Sequence, residues 1–196
     1  MSFWPLLPTI LLSLALLGGV ATFVVMRQMS VRASTAPAPV DGSVYGFRVA
    51  SLTGDEVPLA AYAGQVSLVV NVASECGLAG QYQDIEALQQ RFGPRGFTVL
   101  AFPSNDFLQE SLDESGIAQM CQLRGYSYPM FARTHVRGSD QAPLYQFLSS
   151  ATGESPLWNF GKYVIDRQGR PLAYFGPFVE PTDPELISAI EQALAR

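Results

Sequence analysis

Two apolar runs, Val66–Ser74 (VSLVVNVAS) and Gly96–Asn105 (GFTVLAFPSN), do most to limit what this chain can fold into. Neither alternates apolar with polar residues, as a strand wetted on one face would. Near-continuous β-branched and aromatic residues fit strands buried on both faces. Between them lies QYQDIEALQQRF, Gln81–Phe92, where Ile85, Leu88 and Phe92 recur on one helical face and Gly93-Pro94 ends the helix. Strand, helix and strand in this order imply a partly parallel sheet covered by helices.

The flanking sequence extends the pattern. Apolar residues on either side of Thr53-Gly54-Asp55 predict a hairpin over Gly46–Gly64. Ser111 and Glu114 resemble a capping box, which starts a helix through Leu123 and puts Cys121 on it. Tyr128–Val136 reads as a strand, Ala142–Ala151 as a helix, and Tyr163–Gly176 as a hairpin turning at Arg167-Gln168-Gly169. Asp183 as N-cap and Pro184 at the first position open a closing amphipathic helix, Asp183–Ala195. The order fits an α/β, thioredoxin-like fold: a central mixed sheet flanked by helices, with an N-terminal β-hairpin.

The amino end is different in kind. Phe3–Met26 holds 24 residues without a charge, about 36 Å of helix at 1.5 Å per residue and enough to cross a bilayer. Trp4 suits an interfacial anchor. A cleaved signal peptide is the alternative, but no Lys or Arg precedes the run and no small-residue cleavage pattern adjoins it. Residues 1–29 are thus expected to be a transmembrane anchor and 30–43, rich in Ala, Pro and Ser, a linker. Residues 44–196 are then one domain. Arg27 and Arg32 after the span mildly favour a cytoplasmic domain by the positive-inside rule, with a periplasmic one as the alternative.

Charge and residue counts exclude several functions. Of 12 basic and 17 acidic residues, only Arg27 and Arg32 precede Asp41, leaving 10 against 17 and a net −7. That balance gives no footing for nucleic acid. Two cysteines and a single histidine, His135, argue against zinc, haem or a Cys–His catalytic pair, so no metal and no cofactor are expected. His135, at an expected strand end, is assigned a structural role.

Cys76 stands in ECGLAG, after a buried strand and before a helix. Backbone N–H groups and the positive end of a helix dipole gather there and stabilise a thiolate. A buried, inert thiol is the alternative. Position +3, where a dithiol motif would carry its second cysteine, is Ala79.

NVASECGLAGQY, FPSNDF, YPMF and WNFGKYVIDRQG occur in order, and together they resemble the glutathione peroxidase family across about Tyr45–Ala195. The resemblance implies that Cys76 is the peroxidatic residue, attacking a hydroperoxide and becoming a sulfenic acid. It places Trp158 and Asn159 as neutral N–H donors at the site. It puts Asp106 in the slot where the family carries a glutamine, and a carboxylate beside Cys76 would oppose thiolate formation and weaken the reaction. The loop after Phe107 is one residue short of many relatives. Cys121 falls where thioredoxin-dependent members carry their resolving cysteine, implying an intramolecular disulfide re-reduced by thioredoxin, with glutathione less favoured. A short Phe131–Trp158 connection implies a monomer and a site open to bulky substrates such as lipid hydroperoxides. Two rival readings stand beside this: a slow redox sensor or relay, and a thioredoxin-like binding module without catalysis.

Overall fold

The computed structural model describes residues 42–196; the expected anchor, and the linker up to Asp41, lie outside them. Ten elements follow one another: β1 (Arg48–Ala50), β2 (Glu56–Pro58), β3 (Val66–Val72), α1 (Gln81–Phe92), β4 (Phe97–Pro103), α2 (Glu114–Arg124), α3 (Pro143–Thr152), β5 (Lys162–Ile165), β6 (Pro171–Phe175) and α4 (Pro184–Leu194). β1 and β2 form the N-terminal hairpin, and the main sheet has the order β4-β3-β5-β6. β3 and β4 run parallel, with Val66 opposite Phe97 and Val72 opposite Pro103. β5 is antiparallel to β3, and β6 to β5. This is the mixed, helix-flanked layer expected.

Every residue of β3 and β4 is buried, because each face of the sheet has its own cover. Val66, Leu68, Val70 and Val72 point toward α1 and α4, meeting Ile85, Leu88, Phe92, Leu186 and Ile190. Val69, Leu100 and Phe102 point the other way, against Leu144, Tyr145 and Leu148 of α3 and against Val44 and Leu59. The two-residue period of a strand separates these cores.

Two local expectations change. Tyr128–Val136 is not a strand; Met130 and Phe131 form isolated bridges to Ala101 and Ser51. Pro129 has no N–H to donate, so the segment lends β4 only part of an edge. The N-cap of α2 is Asp113, whose carboxylate accepts the Gly116 N–H at 2.8 Å. Asp113 is a better acceptor two residues later, and Ser111 donates to Glu75 instead. Among the described residues, no helix is long and apolar enough to cross a membrane.

Because β3, β4 and β6 point the same way, the loops at their carboxyl ends meet at one edge of the sheet. The segment entering antiparallel β5 joins them there. Open α/β sheets place reactive groups at this edge.

Candidate active site

Cys76 sits on the turn from β3 to α1, 5% exposed. Its Sγ accepts the Leu78 N–H at 3.4 Å, and successive i→i+3 bonds wind the chain into α1. The turn is clipped to the loop after β4. Glu110, fully buried, accepts the Ser74 N–H at 2.8 Å and the Ser74 hydroxyl at 2.7 Å. The Glu75 N–H donates to the Gln109 carbonyl at 3.0 Å. Three bonds from one short segment thus fix the two residues before the cysteine.

The loop entering β5 is held from below by Asn71, a polar residue near the carboxyl end of β3. Its Nδ2 donates to the Trp158 carbonyl at 3.0 Å, and its Oδ1 accepts the Gly161 N–H at 3.0 Å. Its carbonyl accepts the Phe160 N–H at 2.6 Å. Lys162, wholly buried, donates from Nζ to the carbonyls of Phe160 at 2.7 Å and Val179 at 2.8 Å. Burial pushes its amine down from the usual lysine range to about 7, with the Glu180 charge opposing.

Trp158 and Asn159 ride on this loop in different ways. The Trp158 ring is 38% exposed and lies 5.3 Å from the ring of Phe107. Asn159 is buried and donates from Nδ2 to Gln109 Oε1 at 3.1 Å. Hydrogen bonds among the described residues do not join either side chain to Cys76 Sγ. Phe160 (φ 69°) and Leu108 (φ 57°) are the two non-glycine residues with left-handed backbone among the described residues, and both lie in these loops. Such conformations concentrate at functional sites.

A sequence profile described as glutathione peroxidase matches residues 44–149. Hydroperoxy fatty acid reductase gpx1 of Synechocystis sp. is 39% identical over 169 residues, 80% of this chain and 99% of its own. The chain belongs to the glutathione peroxidase family. Thioredoxin/glutathione peroxidase BtuE of Escherichia coli is 36% identical over 174 residues, 76% of this chain and 95% of its own. A crystal structure of Trgpx in apo form matches with a TM-score of 0.63 at 30% identity, covering 79% of this chain and 97% of that one. A thioredoxin-family thiol:disulfide interchange protein from Chlorobium tepidum, at 17% identity and TM-score 0.57, covers 84% of this chain and 98% of its own and shares the fold alone.

Asp106, in the slot where a glutamine is expected, has its own set of partners. Its Oδ1 meets His135 Nδ1 at 2.8 Å, while its Oδ2 accepts the N–H groups of Val136 at 2.6 Å and Arg137 at 3.2 Å. Both carboxylate oxygens are thus engaged by the 135–137 segment. His135 is accordingly a partner of Asp106.

Cys121 lies in α2, and both cysteines are free thiols. Burial, then the Glu110 charge, push its thiol up to about 11. Met120, beside Cys121 on α2, packs against the same core as Cys76. The two cysteines therefore share one side of the sheet. Ile117 is the single fully buried residue of α2, so little apolar burial holds the helix down.

Sequence reasoning assigned no role to Asn71, Gln109, Glu110 or Lys162. Asn71 carried a readable signal, an amide inside a β-branched run.

Proposed function

We propose that the chain is a thiol peroxidase in which Cys76 reduces hydroperoxides and Cys121 resolves the product. The Cys76 thiolate attacks one peroxide oxygen, the O–O bond breaks, and the leaving alkoxide takes a proton to become an alcohol, or water from hydrogen peroxide. Cys76 is left as a sulfenic acid. Cys121 then attacks its sulfur, releasing water and forming a disulfide that an external dithiol reduces. The observation that carries the reading is the placement of Cys76 on a turn pinned by Glu110 and Gln109, at the carboxyl edge of β3.

The sulfurs must meet within bonding range. Local unwinding of α2 would bring Cys121 across and also return its thiol to water, lifting the burial that suppresses its thiolate. A thioredoxin-type dithiol suits the resulting disulfide better than glutathione on an acidic domain, and BtuE carries both reductants in its name.

Substrates with apolar bodies fit this edge. Leu108 (87% exposed), Leu157 (69%), Trp158 and Phe178 (57%) stand on the loops that meet around Cys76. Exposed apolar groups clustered at one edge mark a binding surface. The Phe3–Met26 run is read as a membrane tether for a monomeric domain, with Arg27 and Arg32 favouring the cytoplasmic side. Steady-state reduction of a fatty-acid hydroperoxide by the full-length protein, with thioredoxin against glutathione, tests the reading. Faster turnover with thioredoxin is expected; turnover only with glutathione overturns the resolving role of Cys121. A slow relay remains the second reading, favoured by the low exposure of Cys76 and the suppressed Cys121 thiolate. The size of the second-order constant of Cys76 with peroxide separates the two, since a relay can be slow and a scavenger cannot.

A further inference from the structure

Given the peroxidatic role of Cys76, we infer that Gln109 is the positioning residue of this site, supplying the side-chain amide that Asp106 does not. Asp106 is committed to residues 135–137 through both carboxylate oxygens. Gln109, three residues on, faces the other way. Its carbonyl receives the N–H of Glu75, the residue before Cys76, and its Oε1 receives Asn159 Nδ2 at 3.1 Å. One residue therefore ties the cysteine turn to the loop of Trp158 and Asn159.

The need for such a tie is visible in Asn159. Its side chain is buried, and among the described residues its Oδ1 meets no hydrogen-bond partner. A buried amide with an unpaired oxygen is held in orientation only by what its nitrogen donates to, and here that is Gln109. Without that acceptor the amide can rotate, and its remaining N–H is no longer fixed for the donor role that membership of the family implies. Gln109 is itself held firmly: Glu110, next in the chain, is buried with its carboxylate on Ser74 and on the Leu112 N–H at 3.3 Å. Leu108, turned outward at φ 57°, is the residue at which the chain makes the bend.

The role is tested by a double-mutant cycle on full-length protein, measuring the second-order constant of Cys76 with hydrogen peroxide for Gln109→Met, Asn159→Ala and the pair. Gln109→Met alone is expected to lose about tenfold, and less than about twofold when Asn159 is already alanine. An equal loss in both backgrounds, or a loss under about twofold in the first, overturns the inference. Gln192→Met, an exposed glutamine on α4, serves as the control and is expected to stay within about twofold of wild type; a tenfold loss there also overturns it. Nitrogen-15 spectra of the Asn159 side-chain amide supply a readout free of turnover. The resonance should move and exchange faster in Gln109→Met and stay in place in Gln192→Met; an unmoved resonance in Gln109→Met counts against the inference even if that variant is inactive. Wild-type protein inert to peroxide would instead sink the role of Cys76 and leave the spectral result to decide that of Gln109.

Discussion

Replacing Lys162 by methionine changes how native stability depends on pH. The amine lies wholly buried between the carbonyls of Phe160 and Val179, and burial brings it down to about 7. In the unfolded chain a lysine titrates near 10.4. Between these values the unfolded chain binds more protons than the native one, so native stability rises with pH across that window. Below about pH 7 both states carry the charge, and the penalty of burying it is full. From about pH 6 to about pH 9 the gain is close to two log units, or about 2.6 kcal/mol at 1.36 kcal/mol each. Lys162→Met has no such titration and also strands two buried carbonyls. Urea unfolding of the reduced proteins at matched pH cancels the contribution of every other titrating group. The stability difference should move toward wild type by about 2–3 kcal/mol over that range. A difference flat to within about 0.5 kcal/mol refutes the reasoning, since the buried amine would then titrate like an unfolded one.

Asn71→Ala removes the clamp on the Trp158–Gly161 segment and leaves its partners unpaired in the core. A loss of about 2–4 kcal/mol in unfolding free energy is expected, together with slower peroxide reaction; an unchanged denaturation midpoint counts against the clamp. Asp113→Ala strips the N-cap of α2, which at about 1 kcal/mol raises the unwound population about fivefold. Disulfide formation after peroxide oxidation should speed up by that factor in stopped flow, and a slower step would mean that Cys121 attacks from the intact helix. Leu108→Gly relieves a left-handed leucine that gains no burial and should stabilise the protein by up to about 1 kcal/mol. The same change should weaken turnover of a fatty-acid hydroperoxide relative to hydrogen peroxide; equal changes for both substrates would deny the apolar edge a role.

The sheet was legible because burial on both faces leaves no room for polar residues, and Val66–Val72 and Phe97–Pro103 show that directly. The helices α1 and α4 were legible for the complementary reason, an apolar stripe bounded by Gly93-Pro94 and by Asp183-Pro184. Tyr128–Val136 misled because its β-forming residues describe an edge that Pro129 cannot complete. The place of Cys76 between strand and helix was readable, as was that of Cys121 on a helix. The direction of Asp106 was not readable, because its partners lie 29 to 31 residues away and are mostly backbone. Gln109 and Glu110 were hidden likewise: their partners, Asn159 and Ser74, meet them only when three loops converge. Lys162 looks in sequence like any solvent-facing charge, and only its carbonyl partners show that it is a buried pin.

The most direct test of the account is mass spectrometry of full-length protein after one equivalent of hydrogen peroxide, with a sulfenic-acid trap present. Wild type should yield a Cys76–Cys121 disulfide reversible by dithiothreitol. Cys121→Ser should yield the trapped sulfenic acid at Cys76, and Cys76→Ser should consume no peroxide. Peroxide consumed by Cys76→Ser at the wild-type rate would contradict the central claim.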